Sequence, residues 1–227
     1  MLKNCFLFLT PFIFSAATLF SQQKILSHLH QSKTPVIDVQ NRRIHLPATF
    51  HPGAYDGWFT HTNNYHAVVW DDGGASNAAP LTTPVSDSLF YAALIEIGAL
   101  PGNNLKHAAW AERKNREHPA PDQRVQGSAV KLTVWWPGLT EPLPLETLFT
   151  DPGKKGIELR FGGNLELIHK WHSGCIVCLY SCPGGKISNA AYTIRDYVDG
   201  TTHFEIDKKI APRKNIAVIL TFKLSEP

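Results

Sequence analysis

The feature that most constrains this fold is the spacing of its apolar segments. They are short, and they do not trade places regularly with helical stretches. Arg43-Ile-His-Leu-Pro-Ala-Thr-Phe50 and Ala129-Val-Lys-Leu-Thr-Val-Trp-Trp136 carry strand-like runs, the second with clear apolar/polar alternation. Further strands are expected at Val36-Ile-Asp-Val39, Trp58-Phe-Thr60, Tyr65 to Trp70, Ile157 to Phe161, His203 to Ile206 and Ile216 to Leu224, the last of them central. The clearest helix runs from Asp87 to Ile97. Ser86 suits its N-cap, Gly98 its C-terminal exit, and Pro101-Gly102 lies just beyond. Leu105 to Glu117 is a second candidate, stopped by Pro119, and Asn189 to Asp196 a weaker third. Pro142 to Leu148 reads as a short helix or an irregular edge. Strands outnumber helices without a βαβ rhythm, so the expectation is an α+β fold. It would have mostly antiparallel strands, two or three helices and a single compact domain.

The 227 residues, 43% hydrophobic and 18% charged, suffice for a proper core. The net charge is only +3, with no basic run or aromatic-interleaved Lys/Arg stripe, which argues against nucleic acid as a partner.

The first residues read as an address. Lys3 precedes a short apolar run, and Ser15-Ala-Ala17 and Leu19-Phe-Ser21 are both small-residue cleavage candidates. The run is short for a bilayer span of ~20 residues. A secretory signal peptide over residues 1–21 is predicted, followed by a polar linker, 22–34, and a domain from 35 to 227. The alternative is an uncleaved segment, which would be the chain's one membrane contact. Export places the protein in a periplasmic or extracellular compartment. Cleavage removes Cys5 and leaves three cysteines, a number that cannot pair fully within one chain.

Those three lie close together, in His169-Lys-Trp-His-Ser-Gly-Cys-Ile-Val-Cys-Leu-Tyr-Ser-Cys-Pro-Gly-Gly185. The spacing His172-x2-Cys175-x2-Cys178-x3-Cys182-Pro183 matches a bacterial ferredoxin run with histidine in place of the first cysteine. Three thiolates and an imidazole are a ligand set for iron in an iron–sulfur cluster, for zinc, or for copper(I). On a helix capped by Ser173, Cys175, Cys178 and Cys182 would fall within ~60° of one another, with His172 adjacent. The same residues permit a redox dithiol, Cys175–Cys178 or Cys178–Cys182. They also permit plain packing, since Ile176, Val177, Leu179 and Tyr180 are apolar and buried cysteine is often a small hydrophobe. His66 sits in a strand pattern and reads as a core or surface imidazole. His61 and Asp71-Asp72 form no known triad or metal spacing. No G-x-S-x-G, H-E-x-x-H, EF-hand or G-x-G-x-x-G motif is present.

Two segments, YHAVVWDDGGASNAAPLTTPVSDSLFYAALIEIGALPG (65–102) and SGCIVCLYSCPGGKISNAAYTIRDY (173–197), resemble the YdjY-like family of exported bacterial domains. The resemblance covers most of the chain from about residue 35 onward, and the second segment is the more specific. It implies a bacterial source and an extracytoplasmic location, with some members labelled ferredoxin-like, and no particular reaction. Its implied site is Cys175, Cys178 and Cys182, with Pro183, Gly184 and Gly185 shaping the turn.

Overall fold

The long alternating segments form the backbone of the sheet. In the computed structural model, which describes residues 12–56, 64–117 and 122–225, β2 (Arg43–Phe50) and β12 (Ile216–Leu224) pair antiparallel over eight positions. Ile44, Leu46, Ala48 and Phe50 of β2 and Val218, Leu220, Phe222 and Leu224 of β12 all enter one core, as period-2 strands require. The opposite face carries His45, whose Nδ1 lies 2.9 Å from Thr221 Oγ1, and Ile219, which is buried beneath the N-terminal helix α1 (Phe12–Ser32). Residues 22–32 are therefore helical and packed, with Leu29 against Trp135 and Ile219. Residues 1–11 of the predicted signal segment, the strand expected at 58–60, His61 and the stop at Pro119 lie outside the described residues.

The other strands are β1 (Val36–Asp38), β3 (His66–Trp70), β4 (Leu81–Thr83), β5 (Val130–Trp135), β6 (Leu143–Pro144), β7 (Phe149–Thr150), β8 (Leu159–Phe161), β9 (Cys175–Cys178), β10 (Ile187–Asn189) and β11 (Glu205–Ile206). Nine strands follow the order β6-β5-β12-β2-β4-β3-β9-β10-β8, with β1 joined to β2 off this path, while β7 and β11 form a separate pair. The sheet curls into a half-barrel. A bridge between Ala129 and Arg160 brings the approach to β5 against β8, and the Phe161 N–H donates to the Ser128 carbonyl at 2.9 Å.

The expected α+β architecture, mostly antiparallel with two or three helices, is corrected by this topology. The protein is mostly one mixed sheet. β3 runs parallel to β4, and β9 parallel to β10. Besides α1 the described residues form four short α-helices: α2 (Asp87–Glu96), α3 (His107–Ala111), α4 (Leu165–Trp171) and α5 (Ile194–Val198). The physical reason lies in two connections, residues 71–80 and 179–186. Each is short and carries a Gly-Gly pair, Gly73-Gly74 and Gly184-Gly185. Each nonetheless runs back without an α-helix, the first with only the 3-10 turn Ser76–Ala78, and returns its strand parallel, a crossover that usually takes a dozen or more residues. The helix expected over 105–117 shortens to α3 and a following 3-10 turn, Glu112–Lys114. By contrast α2 forms where its caps place it: the Ser86 hydroxyl accepts from the Leu89 N–H, and Gly98 has a φ of 84°. It turns Phe90, Ala93 and Leu94 into the core, with Phe90 against Phe222.

Candidate metal centre

The site is built where β9 meets β3. In a regular strand Cys175 and Cys178, three residues apart, would point to opposite faces. The pairing is irregular here. His66 faces Cys178, Val68 faces Val177 and Val69 faces Cys175. Ala67 is therefore an extra residue on β3, and Ile176 an extra residue on β9. A bulge of one residue reverses the alternation beyond it, so both cysteine side chains reach the same imidazole.

His66 Nδ1 lies 3.3 Å from Cys175 Sγ and 4.0 Å from Cys178 Sγ, and the three ligand atoms all lie within 4.8 Å of one another. Cys175 and Cys178 are buried, His66 is partly exposed, and Cys175, Cys178 and Cys182 are all free thiols. Two features fix the imidazole's strand. Tyr55 Oη donates to the His66 carbonyl at 2.6 Å. Gly73 and Gly174 let the backbones interlock at the far end of β3: a Cβ on Gly73 would stand 2.6 Å from the Gly174 Cα.

Electrostatics divide the sulfurs. Burial opposes ionisation of Cys175, but a hydrogen bond from Cys178 and the charge and hydrogen bond of His66 outweigh it, lowering its pKa to about 5. Cys178 is pushed well above the ordinary thiol value by burial and by its bonds to Cys175 and Cys182. It is thus the protonated donor between two sulfurs. Cys182 is lowered, chiefly by that hydrogen bond from Cys178. Burial alone would lower the pKa of His66, yet the Cys175 thiolate beside it raises it.

The structure places the remaining candidates apart from this group. His172 caps α4 in the left-handed conformation at φ 47°, with its side chain exposed. Its contribution is its carbonyl, which accepts from the Gly74 N–H at 3.1 Å. Cys182 is not one of the three mutually close ligand groups. Cys175–Cys178 is a strand rather than a turn of helix, so the shared helical face does not exist. Pro183, Gly184 and Gly185 lie in the buried loop 179–186. A Cβ on Gly184 would stand 2.4 Å from the Trp171 ring, and one on Gly185 2.7 Å from Ser188 Oγ and 3.3 Å from Cys178 Sγ. Close approach, not backbone conformation, requires glycine at both.

Sequence reasoning undervalued His66, a lone histidine in an apolar strand whose partners lie over a hundred residues away. It also passed over Lys186. That side chain is fully buried, ion-paired with Asp87 at the start of α2, and its backbone N–H donates to the Cys175 carbonyl at 3.4 Å. Nothing in the local pattern distinguishes it from a surface lysine after a Gly-Gly turn.

The donor chemistry fits a single soft ion. Zinc–sulfur bonds of ~2.3 Å and zinc–nitrogen bonds of ~2.0–2.1 Å put tetrahedral ligand atoms roughly 3.5–4 Å apart. The separations of 3.3 and 4.0 Å are of that size. An iron–sulfur cluster interposes iron and sulfide between its thiolates, whereas here the Cys175 and Cys178 sulfurs lie within 4.8 Å of one another.

The YdjY domain model matches residues 36–223. A relative from Escherichia coli (strain K12), described as uncharacterized protein YdjY, is 31% identical over 172 residues, which cover 75% of this chain and 72% of the relative. No solved structure gives a significant match. The chain belongs to the YdjY domain family.

Proposed function

We propose that this member of the YdjY family is an exported domain that holds one soft metal ion between Cys175 Sγ, Cys178 Sγ and His66 Nδ1. The observation that carries the reading is the convergence of these three atoms within 4.8 Å. Two thiolates and an imidazole suit zinc or copper(I). Cys175 is poised as a thiolate, Cys178 must surrender its proton on binding, and His66 must be neutral. The role is metal handling. Export is supported by Lys3, the apolar run behind it and the candidate cleavage sites at 15–17 and 19–21. It is also compatible with the packed segment, which lies beyond those sites, at Ile25, Leu26 and Leu29. No helix among the described residues is long and apolar enough to cross a membrane.

Titration of the reduced, anaerobic protein with zinc or copper(I) against a chromogenic chelator tests the metal reading. One equivalent should bind to the wild type. Cys178→Ser and His66→Ala should each weaken it by more than the ~10–100-fold that loss of an outer-shell partner costs. A protein that takes up neither ion sinks the reading. A second reading, a thiol–disulfide protein without metal, is favoured by the approach of the Cys175 and Cys178 sulfurs to within 4.8 Å. In that case neither ion binds, and the reduced protein exchanges with glutathione disulfide.

A further inference from the structure

We propose that a row of aromatic rings, running from His66 through Tyr65 and Tyr197 to Trp110, carries single electrons between a copper ion at this centre and a one-electron acceptor at the surface. The inference rests on the metal reading above, with copper(I) as the ion.

The row starts on a ligand. The Tyr65 ring lies 4.3 Å from the His66 imidazole, centroid to centroid. Tyr65 meets Tyr197 edge-on at 5.1 Å, and Tyr197 meets Trp110 at 5.6 Å. Tyr180 widens the middle of the row, stacked on Tyr197 at 4.9 Å and edge-on to Tyr65 at 5.1 Å. Trp171 packs edge-on against Trp110 at 5.3 Å. Each step is a direct contact, at the ~4.5–7 Å centroid spacing of packed rings or closer.

Separate elements hold the rings. Tyr65 leads into β3, and its carbonyl accepts from the Leu179 N–H at 2.7 Å, which sets Tyr180 beside it. Tyr197 stands on α5, whose start is fixed by the reciprocal capping of Thr193 and Asp196. Trp110 is on α3, and Trp171 ends α4. Tyr180 is buried, whereas Tyr65, Tyr197, Trp110 and Trp171 are partly exposed. The row therefore leads out from the ligand to the surface. Rings that only fill the core, such as Phe90 on Phe222, are wholly buried.

Electronic coupling decays steeply across each gap between orbitals, and π systems in contact leave only gaps of van der Waals size. The Arg113 guanidinium lies 4.2 Å over the Trp110 ring, so positive charge on that ring is unfavourable. The rings thus couple the two ends and are not themselves oxidised. Copper(I) loses one electron and becomes copper(II), and the acceptor gains that electron. No covalent bond of the protein forms or breaks, and no proton is transferred.

The test is anaerobic stopped-flow oxidation of the copper(I)-loaded protein by hexacyanoferrate(III), a one-electron acceptor, read by its bleaching. Copper(II) is counted by electron paramagnetic resonance. The wild type should deliver one electron per copper, and the zinc-loaded protein none over the same time. Tyr197→Leu should bind copper(I) as tightly as the wild type, by chelator competition, and react at least about tenfold more slowly. Tyr197→Phe keeps the ring and should keep the wild-type rate. Trp110→Leu should slow the reaction likewise, and it decides where Tyr197→Leu does not fold. A wild-type rate in either folded leucine variant, a phenylalanine variant as slow as the leucine one, or equal bleaching by the zinc-loaded protein would overturn the path and leave the metal reading standing. A protein that takes up no copper(I) overturns both.

Discussion

Cys175 carries the strongest charge prediction. Its pKa of about 5, down from 9.0, depends on a donated hydrogen bond and on the imidazolium of His66 overcoming burial. Ultraviolet thiolate absorbance of the metal-free protein should therefore show a thiolate that persists through neutral pH and disappears on acidification through about 5. His66→Ala should move that step upward, since it removes both the cation and the hydrogen bond. An unmoved step would contradict the pairing. The linkage has a definite sign. A depressed thiol stabilises the fold above its unfolded pKa, and that stabilisation is lost as pH falls through the folded value. His66, raised in the fold, acts oppositely: its contribution is full below its unfolded pKa and fades as pH rises through the folded one. Part of this centre was legible in the chain. Three cysteines in eight positions announce a site. The choice between His66 and His172 was not legible, because sequence proximity favours the histidine three residues away, and only a sheet pairing delivers the one over a hundred residues distant.

Strand β9 shows why an element can be misread. All four of its residues are buried, so it has no polar face to mark a period of two, and its cysteine spacing imitates a helical face. The bulge at Ile176 is a property of its pairing with β3 and leaves no signature in β9 alone. Two elements hold this strand pair in place, and each yields a prediction. Lys186 and Asp87 tie the β9–β10 connection to α2 through a buried ion pair. Asp87→Ala leaves the lysine uncompensated and should cost about 3–5 kcal/mol in urea unfolding, whereas an apolar pair at both positions should recover most of that loss. A single variant within 1 kcal/mol of wild type, about the range of an exposed pair, would place the pair in water instead. Gly73→Ala drives a Cβ into the Gly174 backbone and should cost about 1–3 kcal/mol. Its metal affinity should fall as well, because the clash separates β3 from the strand that bears both thiols.

On the scale of the whole molecule, the sheet was legible where strands have one wet or differently packed face. β2, β5 and β12 alternate and were found within a residue or two. The path of the chain was hidden in the 71–80 and 179–186 connections, whose turn-like composition conceals parallel returns. The curl of that sheet places a protonated thiol, a thiolate and a raised imidazole together, so the proposed binding of an ion would be coupled to proton loss. Calorimetric titration with zinc in buffers of different ionisation enthalpy should show net proton release at neutral pH, with Cys178 a principal source, and affinity falling on acidification. Binding without proton release would mean that the ion sits elsewhere. The central claim is the identity of the three ligands, and X-ray absorption of the zinc-loaded protein tests it most directly. The account predicts two sulfur neighbours at ~2.3 Å and an imidazole nitrogen at ~2.0–2.1 Å, with the imidazole signal lost in His66→Ala and kept in His172→Ala. A first shell of oxygen and nitrogen alone, or an imidazole signal that vanishes with His172, would contradict it.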